Sequence, residues 1–124
     1  MKAALLVFIG GGLGSVLRYL ISLLNLKVFH QSLPFATFIS NILACLVLAL
    51  VFVWFSSKSV SLSQELKIML TVGFCGGLST FSTFSLETME LIRQGLYTLA
   101  ILNVLLSLVI GVSLIFVILS KNAT

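Results

Sequence analysis

Four apolar runs, roughly Ala3–Leu24, Phe35–Phe55, Leu66–Ile92 and Thr98–Leu119, occupy most of the chain. Each reaches the ~20 residues that a helix needs to cross a hydrocarbon core ~30 Å thick. Of 124 residues, 60% are hydrophobic and 8% charged, whereas about one quarter of a soluble domain is charged. The mean hydropathy is +1.27. The sequence therefore predicts an all-α membrane protein, residues 1–124 forming a single four-helix transmembrane domain. The connectors "NLKVFHQSLP", "SSKSVSLSQE" and "RQGLY" are short, so neighbouring spans should run antiparallel with no soluble domain between them. The first run reads as a span and not as a secretory leader. Only Lys2 precedes it, no small-x-small cleavage site follows, and it continues past Arg18.

Seven Lys and Arg against three Asp and Glu give a net charge of +4. The basic residues are scattered, which excludes a nucleic-acid patch and suits lipid headgroups or anions. Cys45 and Cys75 both fall inside apolar runs, where structural thiols are expected rather than a disulfide. Asn122-Ala-Thr124 matches a glycosylation pattern by chance. Four spans place Lys2, Lys58, Lys67 and Lys121 on one side, and Lys27 and Arg93, with Arg18 nearest to them, on the other. Four against three is almost no positive-inside bias. Either the chain inserts both ways round and pairs with an inverted copy, or the one-residue bias, or else loop lengths, decide a single orientation.

The stretch "TVGFCGGLSTFSTFSLET" (71–88) is the least lipid-like part of the spans. Gly76-Gly77 is the point of lowest helix propensity in the third run, and Ser79, Thr80, Ser82, Thr83 and Ser85 can hydrogen-bond backbone carbonyls. One reading is a continuous, glycine-packed helix with its hydroxyls folded back. The other is a break at mid-membrane, with freed carbonyls aimed at a cation and a half-helix N-terminus offering N–H groups to an anion. Phe81 and Phe84, three residues apart, share a face after the break. Phenyl edges are electropositive and would hold a small anion loosely, with Thr83 as a true donor. Thr37 and Asn41 in the second run, and Asn103 and Ser107 in the fourth, are each four apart. Such pairs serve either as interhelical glue or as a polar track. In the first run Gly10 with Gly14, and Gly11 with Ser15, suit close helix packing. Arg18 either snorkels to the boundary or supplies a vestibule cation that concentrates anions.

"GGGLGSVLRY" (10–19), "TFISN" (37–41) and "GFCGGLSTFSTFS" (73–85) together resemble the Fluc/CrcB fluoride channels, over the full four-span length. The resemblance is to a bacterial, multi-pass inner-membrane member. It implies a dual-topology antiparallel homodimer in the lipid bilayer with two fluoride pores, and passive, electrochemically driven exit of cytoplasmic fluoride that lowers its toxicity. It also implies a structural sodium ion (Na+) at the dimer interface, held by backbone carbonyls of Gly76 and Ser79. Serine stands there where the family usually has threonine. The resemblance places Phe81, Phe84, Asn41, Thr83, Thr37 and Ser107 along the fluoride pore and Arg18 in the vestibule. Gly111 lacks a hydroxyl that some members carry, and Ala36 replaces a frequent glycine.

Two other classes are open to a four-span chain. A small multidrug exporter needs a membrane-embedded carboxylate, typically in the first span, and this first span has none. A non-transporting scaffold would explain the glycines and the size, but not the alternation of hydroxyls with phenyls. An enzyme is not expected, and no catalytic residue is assigned. The one histidine, His30, lies in a connector, and neither metal-ligand spacing nor paired carboxylates beside a nucleophile occur.

Overall fold

The computed structural model describes residues 1–29, 34–56 and 64–121. His30, Lys58 and the Asn122 sequon lie outside the described residues. The elements are α1 (Lys2–Phe29), α2 (Phe35–Ser56), α3 (Gln64–Ile68), a π-helical segment (Met69–Cys75), α4 (Gly76–Leu78), α5 (Phe81–Arg93) and α6 (Tyr97–Lys121). Elements α3 to α5 follow one another as the third span, so four helical stretches are long and apolar enough to cross a membrane. No strand occurs among the described residues. The protein is thus an all-α membrane protein with an interrupted third helix.

Burial follows the logic of lipid rather than of water. The side chains packed away on α2 are mostly small, Ala36, Ser40, Ala44 and Ala49 among them. Large apolar residues such as Phe8 and Phe116 point outward. Lipid tails are as apolar as leucine, so helices associate through close van der Waals packing of small residues and not by hiding large ones.

The tightest seam joins α1 to the third span. A Cβ added at Gly14 would lie 2.2 Å from the Phe74 carbonyl oxygen, and one at Gly77 would lie 2.3 Å from that of Gly11. Both positions lie far inside contact distance, so only glycine permits this backbone approach. Gly10, one turn before Gly14, is closed in the same way by the Met69 carbonyl. The small-residue spacing at Gly10 and Gly14 therefore does the packing expected of it. On the other flank α2 packs against α6. A Cβ at Gly111 would sit 3.3 Å from Cys45 Sγ, so the missing hydroxyl at this position leaves a tight helix contact.

Two boundary features complete the fold. The α5–α6 reversal is a Schellman turn in which Gly95 takes φ +75°, Leu96 N–H donates to the Leu91 carbonyl at 2.9 Å, and Gly95 N–H donates to that of Ile92 at 3.0 Å. At the start of the third span, Lys67 Nζ lies 5.1 Å from the Phe52 ring centroid and 5.7 Å from that of Phe55. The two rings of α2 thus give an ammonium near the span's end a partner within its own chain.

Candidate functional site

The third span changes geometry three times in a dozen residues. It winds as a π-helix from Met69 to Cys75, a form found mostly as single-turn bulges at functional sites. A last α-helical turn follows over Gly76–Leu78. Ser79 (φ −81°, ψ 153°) and Thr80 (φ −150°, ψ 113°) are then extended, and α5 begins at Phe81. The sequence marks Gly76-Gly77 as the weak point, yet Gly76 itself is helical (φ −66°, ψ −34°). The interruption falls at Ser79-Thr80, where hydroxyls and an asparagine support the extended residues, while Gly77 serves close packing against Gly11 and a Cβ at Gly76 would meet nothing within 4 Å.

Two N–H donors that a continuous helix would give to carbonyls at the break are redirected. The Thr80 N–H, which a continuous helix would give to the Gly76 carbonyl, donates to Asn41 Oδ1 at 2.9 Å. The Thr83 N–H, owed to the Ser79 carbonyl, donates to Thr80 Oγ1 at 3.4 Å, so Thr80 is the N-cap of α5. The Gly77 carbonyl accepts side-chain donors from α1, Ser15 Oγ at 3.4 Å and Arg18 Nε at 3.2 Å. Arg18 therefore turns its Nε towards the break. Ser79 Oγ back-bonds to the Cys75 carbonyl at 2.9 Å and finishes the first half.

Helix α2 supports the second half from one face. Asn41 holds Thr80, and Thr37, one turn earlier and buried, donates its hydroxyl to Glu87 Oε1 at 2.7 Å. The Thr37–Asn41 pair is thus brought onto one side of α5. Phe81 and Phe84 lie on α5 with ring centroids 6.1 Å apart and a tilt of 37°. Phe84 is half-buried, whereas Phe81 is 81% exposed. Thr83 Oγ1 is 3.1 Å from Thr80 Oγ1. From α6, Asn103 Nδ2 donates to Thr88 Oγ1 at 3.0 Å, and Thr88 donates to the Phe84 carbonyl. Ser107, one turn beyond Asn103, has a buried Oγ without a hydrogen-bond partner among the described residues.

Three participants were not singled out from the sequence as site residues. Glu87 is a carboxylate within the span, with Oε2 buried and unpartnered among the described residues; an ionisable residue at such a place is a functional candidate on physical grounds alone. Thr80 carries the cap, and Ser15 shares the Gly77 carbonyl with Arg18. Among the described residues no three His, Cys, Asp or Glu side chains gather as a metal site.

Residues 5–119 match the family model described as CrcB-like protein, Camphor Resistance (CrcB). The chain belongs to the CrcB family. Among similar CrcB proteins, "Fluoride-specific ion channel FluC" of Clostridium perfringens is 45% identical over 119 residues, 96% of this chain and 91% of the relative. The FluC of Phocaeicola vulgatus is 41% identical over 112 residues, 90% of this chain and 91% of the relative. That of Escherichia fergusonii is 42% identical over 108 residues, 87% and 84% of the two chains. These CrcB relatives are named as ion channels, not as enzymes. With four candidate spans, the chain is a multi-pass bacterial membrane protein.

Proposed function

We propose that this protein is a fluoride-selective channel that lets cytoplasmic fluoride leave the cell by passive flux. The observation that carries the reading is the Asn41–Thr80 bond at the broken third helix, in a chain whose CrcB relatives are named fluoride-specific. A backbone N–H can only donate, so the Asn41 amide must present its oxygen to Thr80. Its Nδ2 group is then left as a fixed donor beside α5. Phe81 and Phe84 add electropositive ring edges, and Thr83 adds a hydroxyl. Fluoride is small and strongly hydrated, so a channel must replace its water with donors. Asparagine, hydroxyls and ring edges do this without a lysine or arginine that would trap the ion, and conduction needs binding weak enough to release.

Two copies in antiparallel orientation would form two such pores. Phe81 is 81% exposed although it sits among hydroxyls on α5, which suits a second subunit closing the pathway. The near-balanced charge of the two sides supports insertion both ways round. The break also fits a structural sodium ion, since the Gly76 and Ser79 carbonyls have each lost a helical donor to Asn41 and Thr80. Hard monovalent cations favour such oxygens, and a bound ion would neutralise the negative end of the first half-helix. Thr37, placed along the pore by resemblance, donates a hydrogen bond to Glu87, so it contributes to the pathway by holding that carboxylate.

The test is fluoride efflux from liposomes containing purified protein, driven by a potassium gradient with valinomycin and read with a fluoride electrode, beside chloride efflux. Rapid fluoride loss with little chloride loss is expected. Equal flux of both ions, or none from properly assembled protein, would overturn the assignment.

A further inference from the structure

The Gly77 carbonyl draws two side-chain donors from another span, Ser15 Oγ and Arg18 Nε. We propose that Arg18 is a positioning residue, holding the Gly77 carbonyl through Nε and thereby fixing where the third helix stops. The proposal deepens the pore reading above and rests on it for its link to fluoride.

The end of the first half-helix gathers the partial negative charge of its unpaired carbonyls. A guanidinium answers both needs of such an end, since it carries positive charge and donates in a fixed plane. Its access depends on the glycine seam. Gly77 has no Cβ to hold Gly11 away, and Gly14 has none to hold off Phe74 and Leu78. The two helices therefore lie close enough for a short serine to reach across. Ser15 and Arg18, three apart, share the face that looks onto the break. Once the Gly77 carbonyl is tied to α1, the backbone is anchored between the Gly76 carbonyl just before it and the Ser79 carbonyl two residues on, and the directions of both follow. The extended Ser79-Thr80 link then delivers the Thr80 N–H to Asn41. Arg18 thus acts on the pathway through the backbone of the break. A purely electrostatic role at the pore mouth would need its charge but not its Nε.

Substitution can separate these roles, because glutamine carries an N–H donor the same number of bonds from Cα as arginine Nε. Arg18→Gln keeps the donor and loses the charge. Arg18→Lys keeps the charge and moves the donor one bond outward, and Arg18→Met keeps neither. Hydrogen exchange at the Thr80 and Thr83 amides of the purified protein reads the break directly, and fluoride efflux from liposomes reads the pathway. Arg18→Met should exchange faster at both amides by about tenfold or more, the effect of losing a charge-assisted hydrogen bond at a part-buried carbonyl. Arg18→Gln should exchange more slowly than Arg18→Met and retain more flux. If Arg18→Lys matches the wild type while Arg18→Gln is as impaired as Arg18→Met, charge alone matters and the proposal fails. Wild-type exchange in all three variants would also refute it. Should the wild type carry no fluoride flux, the pore reading fails, while the order of exchange rates still decides the role of Arg18. If Arg18→Met does not fold, the Gln against Lys order gives the same decision.

Discussion

Removing the Asn41 side chain should separate the support of the break from the lining of the pathway. Asn41→Ala deletes the acceptor that sits 2.9 Å from the Thr80 nitrogen. The α5 cap cannot replace it, because Thr80 Oγ1 already serves Thr83 N–H. The Thr80 donor is part-buried, and leaving such a donor unpaired costs about 1–3 kcal/mol. The alanine variant should therefore unfold more easily by about this amount, which corresponds to roughly 5- to 150-fold in an opening equilibrium. Asn41→Asp keeps an oxygen in place and makes it a stronger acceptor, so it should hold the break at least as well as asparagine. It removes the Nδ2 donor and adds a negative charge, so its fluoride flux should fall below that of Asn41→Ser. Thermal unfolding in detergent and electrode-read efflux from liposomes measure the two effects separately. Wild-type stability and flux in Asn41→Ala would refute the role of the Thr80 bond. Higher flux in Asn41→Asp than in Asn41→Ser would show that Asn41 only joins helices.

Three further outcomes are expected. Phe81→Ile and Phe84→Ile should each reduce fluoride efflux while leaving assembly on a sizing column unchanged, and normal efflux from both would remove the ring-edge mechanism. Gly14→Ala should lower thermal stability by about 1–3 kcal/mol through overpacking, whereas Gly12→Ala, where an added Cβ meets nothing within 4 Å, should unfold as the wild type does. Thr37→Val should destabilise the protein by about 1–3 kcal/mol by stripping the hydrogen bond from Glu87, and Glu87→Gln introduced beside it should recover part of the loss in the same unfolding assay.

The four helices are legible because hydrocarbon demands long apolar runs, and lipid leaves little room for other solutions. The glycine seam is legible on one side, since Gly10 and Gly14 carry the familiar spacing in α1. Its partner Gly77 reads instead as a point of weakness, because sequence shows low helix propensity but not the neighbour at Gly11 that exploits it. The break is displaced for the same reason. Asn41 lies far from Thr80 in sequence, and only the fold brings an acceptor to that N–H. The π-helical segment over Met69–Cys75 has no local signal in "MLTVGFC". The α2 spacing of Thr37 and Asn41 does foretell a shared face, yet it does not reveal that one member holds a carboxylate and the other a backbone amide. Helical periodicity shows which side chains travel together, while their partners depend on contacts between separate spans.

The glycine seam has a consequence for how the protein is made. It joins α1 to the third span, and α2 is synthesised between them. When a ribosome has delivered only the first two spans, α1 faces lipid along a strip where Gly10 and Gly14 leave its backbone nearly bare. The surface that will later receive Gly73 and Gly77 has at that stage nothing complementary to meet. The seam can close only after residues beyond Gly77 have entered the bilayer, which is also when Arg18 first finds its carbonyl. Biogenesis of this chain is therefore ordered, with the first helix waiting for the third. A nascent chain halted after Ser56 would carry that helix face open.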